Sequence, residues 1–364
     1  MSDSGNVHTK RWVSALKKHG IEVLLFSLRD IDRDFYNNIG VTLVSPSKSL
    51  KGSVISKLRY LLSISLLNKT IKDFNPDLIN AHYASSYGLL AALGRRKCPL
   101  ITSMWGTDVY DFPNSAPFGK QIMKFNLKRA DAVFSTSHVM DKETNKYTDK
   151  KIKITPFGVD TKLFKPLGNS IDHFTVGIVK TMQPVYGIDV LIKAFKLVME
   201  ANPNLRTSLE IYGRGECLEE YRELSKDLGI EEYVNFRGFV ENNQLPAVYN
   251  SFSVAVSPSY SESFGVVAVE AMSCGCPVIT SDADGFTEVV EDGVTGFIVP
   301  KGNPKAIAEA IQKFIDNPGL RETMGRAGRS RVIELYKWDN NVDTMISYYR
   351  TVIESARKSV PENI

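Results

Sequence analysis

Two carboxylates separated by seven residues, Glu262 and Glu270, stand in the stretch 257–288, SPSYSESFGVVAVEAMSCGCPVITSDADGFTE. A polar loop around Pro258 and Glu262 opens it, and an apolar run, 264–272, carries Glu270. Gly275 and Pro277 are stop signals after a helix, and the residues Val278, Ile279 and Thr280 favour a strand. The order is loop, helix, turn, strand. A helix starting at 264–266 leaves its first amides without intrahelical partners and with partial positive charge. Gly265 lets a ligand come close to that backbone, so the helix start suits an anion such as a diphosphate. Glu262 is then placed to touch whatever the phosphate carries. Glu270, two turns on, is placed to accept hydrogen bonds from hydroxyls. As isolated residues, the two also read as a helix-start carboxylate and an ordinary helix glutamate.

The run SESFGVVAVEAMSCGCPVITSD, with Ala271, Met272, Gly275, Pro277, Ser281 and Asp282 around the two glutamates, resembles the signature of retaining glycosyltransferase family four, glycosyltransferase group 1. The segment 156–166, PFGVDTKLFKP, resembles the element that such enzymes place before their second domain. The resemblance covers nearly the whole chain and is thinnest over 30–75. It implies an α/β chain of the GT-B kind: two Rossmann-like doubly wound domains facing across a cleft. The implied domains are 1–166 on the acceptor side and 167–337 for the nucleotide-sugar, with a terminal helix, 338–358, returning to the first.

Carried over by position, the resemblance makes Glu262 a contact of the donor sugar, with Ser263, Phe264, Gly265 and Val266 lining sugar and phosphate. Glu270 would bind ribose hydroxyls, and Arg237, Gly238 and Phe239 would lie near the base. Lys180 matches one member of a basic phosphate clamp, and Val185 stands where the second lysine is expected. Gly213, from an incomplete dinucleotide fingerprint Gly213-Arg214-Gly215, and Gly5, in the loop Ser4-Gly5-Asn6, join the donor contacts. His82 in AHY and Asp108 in WGTD stand at strand ends and become contacts near the reacting sugar, with Trp105 where relatives carry His. The leaving diphosphate would be neutralised by backbone amides and basic side chains without an obligatory metal. No cofactor beyond the donor is implied.

At 364 residues, 43% apolar and 24% charged, the chain suits two soluble domains of ordinary size. No apolar run approaches the ~18–20 residues needed to span a bilayer, and the start, MSDSGNVHTKRW, lacks an apolar signal core. A cytoplasmic location is expected. Cys98, Cys217, Cys274 and Cys276 are too scattered for a disulfide framework, and the Cys274-Gly-Cys276 pair lacks the partners of a metal site. Residues 1–165 carry 26 Lys and Arg against 14 Asp and Glu, whereas the remainder carries 19 against 27. Such asymmetry suits an anionic partner of the first half, a membrane surface or an acidic acceptor, and equally suits solvated lysines.

Helices are expected at 8–18, 54–72, 88–93, 190–200, 221–228, 245–250, 304–315, 320–336 and 338–358. Strands are expected at 21–27, 41–44, 77–82, 100–104, 132–137, 152–156, 174–179, 209–212, 234–236 and 252–257, with a linker at 167–173. Strands alternating with helices imply parallel sheets. A doubly wound domain normally has a strand before its first loop, yet only Met1 to Asp3 precede Ser4, so a first strand is expected to be missing. The helix 54–72 reads first as a core-packed helix with Lys57, Arg59, Lys69 and Lys72 solvated around it, and second as a membrane-docking face. Asp30, Asp32 and Asp34 fail as a calcium loop because Phe35 and Val41 occupy its glycine and glutamate positions. Asp282-Ala-Asp284, following a strand as a loop, does not make a metal-binding DxD site.

The reading is a retaining glycosyltransferase of hexosyl type, acting on a polysaccharide or lipid-linked acceptor in cell-envelope glycan synthesis. Alternatives are a non-catalytic nucleotide-sugar binder, for which Val185 speaks, a nucleotide-sugar epimerase and a sugar-phosphate synthase. No nucleic acid is implied as a partner.

Overall fold

The computed structural model describes residues 1–46, 59–168 and 173–358, and the chain divides into two compact units, Met1–Pro156 with Asn340–Ile364, and Phe157–Asp339. Part of the expected linker, 169–172, and the start of the expected helix 54–72, up to residue 58, lie outside the described residues.

Each unit is a parallel α/β arrangement. In the first, β1 (Leu24–Phe26) pairs with β2 (Thr42–Val44), and β3 (Ile79–His82), β4 (Leu100–Ser103), β5 (Ala132–Ser135) and β6 (Ile152–Ile154) follow one another in a second sheet. The segment ahead of the first loop stitches the two together. Ser2 N donates to Phe26 O at 3.1 Å, and His82 N donates to Met1 O at 3.0 Å. Strand-like hydrogen bonding thus reaches both sheets from two residues. The helix Val7–Lys18 follows, capped by the Asn6 side chain on His8 N at 2.8 Å.

The second unit holds β7 (Phe174–Val179), β8 (Thr207–Tyr212), β9 (Val234–Gly238), β10 (Val254–Ser257), β11 (Val278–Ser281) and β12 (Gly296–Val299) in the order β12-β11-β10-β7-β8-β9. That is the doubly wound Rossmann order, which reverses between β7 and β10. Its core is the sheet face under the helices Ile188–Ala201, Leu218–Asp227 and Pro304–Asp316, where Ile192, Phe195, Ile211, Val254, Ile311 and Phe314 are fully buried. Each such side chain contributes roughly 1.5–3 kcal/mol by leaving water.

Several expectations change. The boundary falls at Pro156, not at 166, because the PFGVD segment packs into the second unit: Val159 N donates to Tyr336 O at 2.8 Å and Phe164 is buried. The described part of the helix expected at 54–72 is a 3-10 turn, Arg59–Ser63, followed by the helix Ile64–Phe74, which ends where Asn75 turns left-handed at φ 46°. Asp284 opens a short helix, Asp284–Val289, and does not lie in a loop; Asp282 accepts from Lys301 N at 3.0 Å. Between β4 and β5 the chain forms the helices Thr107–Tyr110, Phe112–Ser115 and Gly119–Arg129, which the sequence reading left unassigned. Pro113, Pro117 and a left-handed Phe118 break the apolar periodicity that would have marked them. Among the described residues, no helix is long and apolar enough to cross a membrane.

Candidate active site

Ligands of doubly wound sheets sit beyond the carboxyl ends of the strands, where the strand order reverses. In the second unit that place lies between Lys180, which follows β7, and the loop 258–265, which follows β10. Lys180 Nζ meets Glu262 Oε2 at 2.6 Å, and both side chains are largely buried at 13% exposure. The pair spans 82 residues of sequence and bridges the switch point. The Tyr186 ring lies 4.5 Å from the same ammonium, a distance at which the ring face attracts a cation.

The loop carrying Glu262 is fixed from its neighbours. Glu262 O accepts from Gly285 N at 2.9 Å, and Tyr260 N donates to Val185 O at 2.8 Å. Phe264 is buried, with its ring against Phe157 and Tyr336. Gly265 then takes φ 98° as the N-cap of the helix Val266–Ser273, a conformation in which a Cβ would press on the Phe286 ring at 2.8 Å. The amides of Gly265, Val266 and Val267 have no acceptor among the described residues. Three unpaired donors and the positive end of a helix dipole therefore stand directly after the loop that carries Glu262. The helix closes in a Schellman pattern, with Cys276 N on Ala271 O at 3.0 Å and Gly275 N on Met272 O at 2.9 Å.

Glu270 is buried inside this helix, and Tyr249 donates its hydroxyl to Oε2 at 3.0 Å. Burial, and then the Glu270 charge, push that hydroxyl well above its ordinary pKa, so it remains a donor. At the ends of β8 and β9, Gly213 N donates to Gly238 O at 2.8 Å, and Gly213 itself lies against Lys180 O. The exposed Phe239 ring carries the Arg214 guanidinium at 4.6 Å. Arg237 points along the sheet face, bonding Glu210 Oε2 at 2.6 Å, which raises its pKa further. Lys180, Gly213, Gly238, Glu262, Ser263, Phe264, Gly265 and Val266 thus share one strand edge. The Arg237 side chain is committed elsewhere on the sheet.

Gly5, His82 and Asp108 belong to the first unit. Gly5 N donates to Asp3 Oδ1 at 2.9 Å, and Asp3 is held by Arg29 at 3.1 Å. Asp108 is buried, and its oxygens accept from the amides of Ala84 at 2.8 Å, Gly106 at 2.9 Å and Trp105 at 3.1 Å. Burial raises its pKa against the opposing pull of those amides. Its evident job is to hold the turn after β4. His82 packs on Trp105 with ring centres 4.1 Å apart and planes tilted by 32°, and places Nε2 3.2 Å from the Asn80 amide nitrogen.

The sequence reading missed Tyr186, Arg214 and Tyr249. Tyr186 is adjacent to Val185, the position where a second basic residue was sought, and that adjacency was its only signal. Tyr249 stands 21 residues before Glu270, and no local pattern links them. Among the described residues, no group of three or more His, Cys, Asp or Glu side chains could hold a metal ion.

A half-buried imidazole, His8, and a buried one, His82, make the first unit acid-sensitive. Burial, and then Arg11, hold His8 down at about 3, and burial, followed by the N-terminal charge and His8, holds His82 well below its usual value. In the unfolded chain both titrate near 6.5. The stability they confer is complete above about pH 6.5 and is lost as pH falls toward their folded values. Lowering pH from 7.5 to 5.5 should cost roughly 1–3 kcal/mol in urea unfolding, and His82→Gln should shrink that loss. An unchanged urea midpoint would contradict the assignment.

Comparison with known proteins follows the same division. The profile of the family described as glycosyl transferases group 1 matches residues 159–331, and that of glycosyl transferase 4-like proteins matches residues 1–137. The chain is 34% identical over 221 residues to a D-inositol 3-phosphate glycosyltransferase of Kribbella flavida, covering 56% of this chain and 52% of that one. The matched stretch therefore spans about half the length of that relative. A D-inositol 3-phosphate glycosyltransferase of Streptomyces avermitilis is 30% identical over 313 residues, covering 78% of this chain and 67% of the relative. Among solved structures, sucrose-phosphate synthase from Thermosynechococcus elongatus superposes with a TM-score of 0.81 at 22% identity, covering 97% of this chain and 95% of that one. The HepE protein of Anabaena in complex with UDP gives 0.81 at 19% identity, covering 96% and 98%.

Proposed function

The chain belongs to the glycosyl transferases group 1, and from that premise we propose that it transfers a hexosyl group, with retention, from a nucleotide-sugar donor to a polysaccharide or lipid-linked acceptor in cell-envelope glycan synthesis in the cytoplasm. The observation that carries this is the Lys180 and Glu262 pair at the switch point, beside the open amides of Gly265 to Val267. In transfer, the bond from the anomeric carbon to the diphosphate breaks with its electron pair leaving on phosphate. A new bond forms to an acceptor hydroxyl, whose proton passes to the departing diphosphate. Charge appears on the diphosphate, where the Lys180 ammonium and the helix amides can meet it without a metal. Glu262 would hold the sugar, Glu270 the ribose, and Phe239 with the Gly238 main chain the base. His82 and Asp108 would shape the acceptor side.

Solved HepE structures contain UDP and UDP-glucose, which supports a nucleotide-sugar donor here. Val185 leaves the phosphate clamp with one lysine and favours a second reading, a binder without turnover. Donor hydrolysis distinguishes the two, because a binder would show saturable nucleotide affinity with no sugar release. Screening UDP-, GDP- and ADP-sugars for protection against thermal unfolding identifies the donor. Nuclear magnetic resonance of the product anomer then tests retention, and activity in a chelator tests metal independence.

The two glutamates should separate kinetically. Glu270→Gln preserves an acceptor for the Tyr249 hydroxyl but removes a charge, and should weaken nucleotide binding about tenfold, or ~1.4 kcal/mol. Glu262→Ala should mainly lower kcat. Titration calorimetry and steady-state kinetics read these effects, and negligible changes from both substitutions would defeat the assigned roles.

A further inference from the structure

At the amino ends of β3 and β4, opposite the strand ends that carry His82 and Asp108, the first unit contains a groove of about 810 Å³. Its walls are the helix Ile64–Phe74, the turn 94–99 and the last turns of the helix Trp338–Lys358. The turn is fixed to the first helix by Arg95 N donating to Asn68 Oδ1 at 2.7 Å. Five cations line the groove: Lys69, Lys72, Arg95, Lys97 and Arg357. Against them stand Asp73 and Asp77, and Asp77 is already paired with Arg357 at 2.9 Å. Lys69, Lys72, Arg95 and Lys97 have no salt bridge among the described residues.

Four cations without salt bridges, with Asp73 the one carboxylate left beside them among the described residues, repel one another around one concavity, and an anion placed between them relieves that repulsion. The volume falls within the range of small-molecule sites, roughly 300–1,000 Å³, and suits a compact polyanion. The unpaired Arg95 guanidinium matches phosphate oxygens in pairs, with the lysines as added point charges. We infer that this groove is a binding site for a phosphate-bearing ligand, separate from the donor site of the second unit. The phosphate belongs either to a soluble polyphosphate or to a lipid headgroup.

Cys98 supplies the readout. It lines the groove half-exposed, whereas Cys217, Cys274 and Cys276 are buried, so native alkylation by a maleimide reports on the groove. Tripolyphosphate at ten times its Kd, with ionic strength held constant, should slow Cys98 alkylation about tenfold. The double variant Arg95→Glu/Lys97→Glu should lose that protection. Its thermal unfolding should stay unchanged, since both side chains are exposed and unpaired in any salt bridge. Vesicles of phosphatidylglycerol, compared with phosphatidylcholine, distinguish the sources: protection and co-sedimentation with phosphatidylglycerol alone assign a headgroup, and protection by tripolyphosphate alone assigns a soluble ligand. No protection by either, equal slowing by sulfate, or protection that survives in the double variant would overturn the site.

Discussion

Lys180→Ala should lower the rate of sugar transfer about 10²–10³-fold, equivalent to ~3–4 kcal/mol of lost stabilisation of the leaving diphosphate. The size of the effect follows from the composition of the clamp. With Val185 in the turn 184–186, Lys180 is the single lysine of the expected clamp. The substitution also leaves the Glu262 carboxylate at 13% exposure without its 2.6 Å partner, which adds a repulsion toward phosphate. Single-turnover kinetics on saturating donor would separate the chemical step from binding. A loss smaller than about tenfold would mean that the departing charge is neutralised elsewhere. Val185→Lys makes the converse test, because a second cation there should raise the rate of donor hydrolysis.

Gly213→Ala should destabilise the second unit by roughly 2–5 kcal/mol and abolish donor binding with it. Gly213 holds φ 145°, a region that side chains avoid, and a Cβ built there would lie 1.9 Å from Lys180 O. Lys180 and Gly213 follow neighbouring strands β7 and β8, so the added methyl can be relieved only by parting the two strand ends. That movement carries the Lys180 ammonium away from Glu262. Thermal unfolding and nucleotide titration together check it, and a variant that retains wild-type affinity would show that the close approach is unnecessary.

Much of this arrangement is legible in the sequence. Loop, helix, turn and strand over 257–288 follow from residues that act on their own neighbours: Gly265 at a left-handed N-cap, Gly275 in a Schellman turn, and β-branched residues in β11. The strand 174–179 and the helix 338–358 follow from unbroken apolar patterning. Where that patterning failed, the elements were lost. The helix Gly119–Arg129 follows a left-handed Phe118, and the short strand β12 has only Phe297, Ile298 and Val299 to signal it.

The sequence by itself determined the carboxylates, the helix start with its unpaired amides and the alternation that makes parallel sheets, because each depends on spacings of a few residues. Only the tertiary structure decided which distant groups meet. Strand order places β7 beside β10 and so brings Lys180 to Glu262, and helix packing brings Tyr249 to Glu270. It also turned Arg237 onto Glu210 and buried Asp108 under three amides. Periodicity fixes which face of an element is buried, but not which element lies across from it. Those pairings come from crossover topology and from the need to satisfy each buried charge.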